Sequence, residues 1–275
     1  MAPRKMINSN RLPVFLMHVP KCAGTSVYFY LLPSFKPSEI CPFPDHGVWS
    51  WRAADVPGFK LYCGHFTADF LNAMGSGGTR LLVVRHPLDR VISLFDFWRS
   101  YRWPYIRSSL SSLTDNGPAI AKGGDLLSFL RTDSSFAIEQ IYNPTARQLI
   151  GKNRYRDLWP DETIIIQESI QALHSFDWIG TAESFEVSLK LLSNLLGLPM
   201  PPTIPQKLST YAIQTDNQPR ETVTKTCPSN RDSQRILRGN RVDVEIYTAA
   251  CQIVESRARA AGLLRGVRVN GRVPA

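Results

Sequence analysis

Two nearly uninterrupted apolar stretches set the strongest limit on what this 275-residue chain can fold into. Residues 12–19 (LPVFLMHV) and 79–85 (TRLLVVR) are rich in aliphatic and β-branched side chains and show no polar alternation, the pattern of strands buried on both faces. Each ends in a proline break, at Pro20 and at His86-Pro87, and a segment of helical character follows each break. Shorter runs at 60–64 and 177–180 supply further strands. Strands alternating with helices predict an α/β fold, with a short central parallel sheet flanked by helices and the loops gathered at the strand C-termini.

The first break is the most informative. After the strand come Lys21-Cys22-Ala23-Gly24-Thr25-Ser26, then an apolar segment, 27–32, in a helix expected to begin at Thr25 or Ser26. A strand, a tight loop and a helix N-terminus form an anion cradle, because loop amides and the first free helical N–H groups point at one spot. Lys21 adds a cation at its rim. In a Walker A loop the Lys follows the second Gly, whereas Lys21 precedes Gly24, so an ATPase or GTPase loses its main support.

Charge points the same way without choosing a partner. Thirty-two basic against twenty-three acidic residues give a formal +9, which favours nucleotides, acidic glycans, nucleic acid or a membrane surface. The five cysteines (Cys22, Cys41, Cys63, Cys227 and Cys251) form no C-x-x-C pair, which argues against a zinc site or disulfide framework and suits a reducing compartment. No apolar run reaches the roughly 18 residues of a membrane span. The start, MAPRKMINSNRLP, lacks a signal-peptide pattern, so the expectation is a cytoplasmic protein. The length fits one domain over 1–275, with long loops at about 33–58, 104–124 and 200–231.

Elsewhere, 51–54 reads as a short helix and 67–74 as a helix capped by Thr67. Leu88, Val91, Ile92, Phe95 and Trp98 repeat at helical spacing and predict an amphipathic helix packed on the sheet. The segment 104–124 is Gly/Ser-rich and reads as loop, 125–131 and 136–150 as helices, and 161–174 as helix with 163–166 open to a strand. Residues 183–196 form a helix stopped by Gly197 and Pro199, and 232–237 and 242–261 close the chain.

Three segments carry a family resemblance. The pattern P-K-x-x-G-T-S at 20–26 resembles the 5′-phosphosulfate loop of sulfotransferases, which use PAPS (3′-phosphoadenosine 5′-phosphosulfate) as sulfonate donor. Arg85-His86-Pro87-Leu88-Asp89-Arg90-Val91-Ile92-Ser93 resembles their 3′-phosphate motif, R-[DH]-P-x-x-R-x-x-S. An Arg leaving a strand and a Ser on the following helix can grip one phosphate from two directions. Cys63-Gly64-His65-Phe66 with Asp69-Phe70 resembles the H-G-H…D-F segment of glycan 2-O-sulfotransferases, with Cys63 in place of the earlier His. Weaker echoes lie in NPTARQLIG (143–151), DWIGTAESFE (177–186) and NRVDVEIYTA (240–249), which look like fold markers. The resemblance is to the heparan sulfate 2-O-/6-O-type and bacterial carbohydrate branch.

The resemblance implies a P-loop NTPase-like sulfotransferase fold and in-line sulfonate transfer from PAPS to an acceptor hydroxyl, on a glycan or glycosylated small molecule. Lys21, Cys22, Ala23, Gly24, Thr25, Ser26, Arg85 and Ser93 would bind the donor, with Lys21 also offsetting charge on the leaving group. His65 would be the general base, a role an imidazole with an ordinary pKa of about 6.5 suits. No metal and no nucleic acid enter this scheme. His18, His46, His86 and His174 are read as structural. A nucleotide- or PAP-binding protein of the same fold without catalysis, and a P-loop kinase-like phosphotransferase, are the competing readings. The first need not keep Lys21 or His65, and the second calls for Mg²⁺-binding acidic residues.

Overall fold

The computed structural model describes residues 7–42, 58–75, 77–110, 116–203 and 219–264. Strand β1 (Val14–His18) leads through a short loop into α1 (Gly24–Leu31), then β2 (Leu61–Gly64), α2 (Ala68–Ala73), β3 (Thr79–Val84) and α3 (Pro87–Arg99). Helices α4 (Trp103–Ser109), α5 (Gly117–Gly123), α6 (Leu126–Phe129) and α7 (Ser135–Ile141) follow. Then come α8 (Pro144–Ile150), α9 (Lys152–Leu158), α10 (Glu162–Leu173) and strand β4 (Trp178–Thr181). Helices α11 (Phe185–Leu196), α12 (Asn230–Gly239) and α13 (Arg241–Ala260) complete the described chain.

The four strands pair in parallel in the order β2-β1-β3-β4, which bears out the predicted sheet. Val14 lies opposite both Leu61 and Thr79, and Leu81 opposite Trp178. Every residue of β1 is buried. Because alternate side chains point to opposite faces, both faces of the sheet are covered. The chain leaves β1 on one side for β2 and returns on the other for β3, so the topological switch point lies between the C-terminal ends of β1 and β3. Beside β2, Cys41 N–H donates to Leu61 O at 2.9 Å and Lys60 N–H to Glu39 O at 2.8 Å, so residues 39–41 run along that outer edge.

Several expectations need correction. The segment 104–124 is not a long loop, because α4 and α5 occupy much of it. Asn116 caps α5 by accepting from Ala119 N–H at 3.2 Å, with Pro118 in its first turn. The stripe of α3 does not pack on the sheet. Val91, Ile92, Phe95 and Trp98 belong to a second apolar cluster with Ala121, Phe129, Ile141 and Ile236, from α5, α6, α7 and α12. The two errors share a cause, since a stripe facing a supposed loop had only the sheet left to pack on. Residues 136–150 are two helices, broken where Asn143 is left-handed (φ 50°) and Pro144 starts α8. Helix α9 was not anticipated. Thr67 precedes α2, but its hydroxyl donates to Asp69 Oδ2 at 3.3 Å instead of capping the helix through a backbone amide. Residues 161–174 are helix, and α11 ends at a left-handed Gly197 (φ 66°), as the stop signal required. The helix expected at 51–54 lies outside the described residues, as does 204–218 of the 200–231 loop.

The described end of that loop is fastened to α3. Arg102 N–H donates to Pro219 O at 2.9 Å and Glu221 N–H to Ser100 O at 2.7 Å. The buried Asp96 carboxylate accepts from Thr226 N–H at 3.1 Å and from its hydroxyl at 2.5 Å. Arg220 is thereby brought over the switch point. Among the described residues no helix is long and apolar enough to cross a membrane.

Candidate functional site

The loop after β1 is built from unusual backbone. Lys21 (φ 69°) and Ala23 (φ 67°) are both left-handed without being glycine, a costly conformation that clusters at ligand clamps. Left-handed residues in such a turn aim successive N–H groups into one concavity. Cys22 N–H closes on Val19 O at 3.2 Å and Ser26 N–H on Ala23 O at 3.0 Å. The amides left to face a ligand are those of Ala23, Gly24 and Thr25. Cys22 is placed to pack rather than bind: its side chain is fully buried, and burial pushes its thiol up to about 12. Ser26 is buried and Thr25 half-buried at the start of α1.

Gly24 is required by contact. A Cβ there would sit 2.1 Å from the buried His18 imidazole. Gly24→Ala is expected to cost about 1–3 kcal/mol, the range for overpacking a filled site. Thermal and denaturant unfolding would check this, and an unchanged midpoint would show that His18 yields freely.

The second motif meets the first directly. Arg85, half-buried at the end of β3, donates from Nη1 to the Lys21 carbonyl at 3.2 Å. Among the described residues it forms no ion pair with a carboxylate, Asp89 included. Ser93 is half-buried two turns into α3. Lys21 Nζ lies 3.9 Å from the centre of the Phe97 ring, and the Arg220 guanidinium 5.0 Å from the same centre. One aromatic ring thus collects cations from two distant segments. Arg220 Nη1 is buried and without a hydrogen-bond partner among the described residues. An orphaned buried guanidinium nitrogen among further cations fits a bound polyanion such as PAPS.

His65 follows β2 and is half-buried. Its Nδ1 is hydrogen-bonded to the His18 carbonyl, and the two rings lie 4.7 Å apart. A carbonyl only accepts, so Nδ1 carries the proton, and Nε2 is the acceptor nitrogen of the neutral ring. Gln148 of α8, fully buried, donates to the carbonyl of the next residue, Phe66, at 3.1 Å and so steadies this turn.

The three weaker motifs hold these pieces in place. Glu183 accepts from His86 N–H at 2.9 Å and from the Tyr247 hydroxyl at 3.1 Å, tying the ends of β3 and β4 to α13. Asn143 N–H donates to Asn240 Oδ1 at 3.0 Å, and Asp243 accepts from Thr145 and Ala146 N–H at 3.0 Å each. His86 meets the Tyr247 ring edge-on and is structural, as read; His174 is an exposed residue ending α10; His46 lies outside the described residues.

Sequence reasoning missed His18 and Phe97. His18 was filed as a strand residue, yet its carbonyl orients His65 and its ring backs the loop. Phe97 carried a signal, being apolar and off the buried stripe of α3.

A family model described as the sulfotransferase family matches residues 4–248. No curated protein matches the chain.

Proposed function

The chain belongs to the sulfotransferase family, and we propose that it moves the sulfonate of PAPS to a hydroxyl acceptor, a sugar on the strength of its motifs. The observation that carries this reading is the gathering of Lys21 and Arg220 on Phe97, with Arg85 on the Lys21 carbonyl, where among the described residues Arg220 keeps an unpartnered buried nitrogen. PAPS supplies the activated sulfonate.

The chain does the rest. Amides of Ala23, Gly24 and Thr25, with the Thr25 and Ser26 hydroxyls, hold the 5′-phosphate. Arg85 and Ser93 hold the 3′-phosphate. Lys21 offsets the negative charge that grows on the departing phosphate, the preorganised electrostatic stabilisation that dominates phosphoryl-type transfer. His65 Nε2 takes the proton of the attacking hydroxyl.

Arg85 and Ser93 serve the 3′-phosphate alone, so PAP should bind far more tightly than AMP. Arg85→Ala should lose about 1.5–3 kcal/mol of PAP affinity, the range for hydrogen bonds to charged groups. AMP affinity should change little. Titration calorimetry checks both, and equal affinity for PAP and AMP in the parent protein would refute the donor assignment.

A further inference from the structure

A cleft of about 1120 Å³ lies between α7, α8, α9 and α12 and shares no lining residue with the donor loop, His65, Arg85 or Ser93. Five arginines line it: Arg147, Arg156, Arg231, Arg235 and Arg238. Among the described residues no Asp or Glu lines it. The surrounding surface behaves differently, since Arg154 pairs with Glu168 and Arg241 with Glu162. Within the cleft the guanidinium groups rest mainly on neutral partners. Arg147 donates to Tyr142 O at 3.3 Å and lies 4.0 Å over the Tyr155 ring. Arg238 donates to Gln234 at 3.2 Å, and Arg235 lines the cleft with Tyr142. Arg156 lies 3.9 Å from the Asp157 carboxylate, which faces outside the lining.

Arg231, Arg235 and Arg238 stand at i, i+4 and i+7 on α12, one face of the helix. Like charges at that spacing destabilise a helix. A solvated charged face would normally alternate signs; this one concentrates a single sign over an aromatic floor.

We infer that this cleft binds an acidic oligosaccharide, through carboxylate or sulfate groups on the arginines and sugar rings on the aromatic side chains. Trp159, at the cleft, is half exposed and offers a stacking face. The volume exceeds the upper end of pockets that enclose one drug-sized ligand, about 300–1,000 Å³, so more than one ring fits. Arg231 and Arg238 are about 10 Å apart along the helix axis at 1.5 Å per residue, so a single compact anion cannot fill the span between them. A chain bearing several anions can. The choice of saccharide over another polyanion, and its role as the acceptor chain, rest on the sulfonate-transfer reading; the anion site itself does not. Helix α8 joins the two places, with Arg147 in the cleft and Gln148 on the carbonyl beside His65.

The test is titration calorimetry of the full chain with hyaluronan hexasaccharide, chondroitin sulfate hexasaccharide, maltohexaose, the oligonucleotide dT6 and PAP. The two acidic hexasaccharides should bind at least about tenfold more tightly than maltohexaose. Arg231→Gln/Arg235→Gln/Arg238→Gln, which alters only exposed side chains, should weaken them about tenfold or more, as expected for losing several charge-assisted contacts. Trp159→Ala should also weaken them. PAP affinity should be unchanged in both variants. Equal binding of neutral and acidic sugars, an unaffected triple variant, loss of PAP binding along with the sugar, or tighter binding of dT6 than of either acidic sugar would each overturn the proposal. Acidic sugar bound through the arginines with no PAP binding in the parent protein would uphold the cleft and sink the sulfonate-transfer reading.

Discussion

His65→Ala is expected to fold normally and bind PAP as the parent does, while turning over about 10²–10⁴-fold more slowly, the usual contribution of a positioned acid–base group. The geometry makes the prediction sharp. The His18 carbonyl holds the Nδ1 proton, so the ring offers Nε2 as its base and contributes nothing to the cations that grip the donor. The base works only when neutral, which the Nδ1–H tautomer with a lone pair on Nε2 provides. Folded fraction, PAP affinity and turnover should be measured on one preparation. A histidine that only packs would reverse the pattern, with lower stability and normal turnover per folded molecule. Near-parental turnover would remove His65 from the mechanism.

The largest loss of stability is expected at Asp243. Its buried carboxylate takes the N–H groups of Thr145 and Ala146 at the start of α8. The buried Arg90 attracts it electrostatically and holds the last carbonyls of α7, Gln140 O at 2.8 Å and Ile141 O at 2.6 Å. Two helix ends of opposite polarity thus each meet the opposite charge. Asp243→Ala strips two buried donors and leaves Arg90 without its counter-charge. A loss of about 3–5 kcal/mol is expected in denaturant titration. Asp243→Asn keeps one acceptor oxygen and should lose less. A change below about 1 kcal/mol for Asp243→Ala, within the range of an ordinary surface substitution, would show that α8 is anchored elsewhere.

The sheet and the loop after β1 were legible because their signals are local. Unbroken apolar runs ended by Pro20 and by His86-Pro87 are enough to place both. What could not be read depends on contacts distant in sequence. Gly117 looked like a mark of loop, yet it is a point of close approach, where a Cβ would fall 2.4 Å from the Trp98 ring. The break at 143–144 had Pro144 as a local sign, but its cause is Asn143 locked to Asn240 and Asp243 about a hundred residues away. Lys21 and Arg85 were identified as cations by type and motif. That Phe97 gathers Lys21 and Arg220 is a property of the folded α3 alone.

The segment alongside β2 bears on how copies of this chain behave when crowded. An open sheet edge is a template on which another chain can add a strand, the first step of edge-to-edge aggregation. Here residues 39–41 already take up Lys60 N–H and Leu61 O where β2 begins, with Ile40 bridged to Leu61. Pro37 and Pro42 flank that cover, and neither has an N–H to offer a newcomer. A device three residues long thus blunts the start of that edge against an incoming strand.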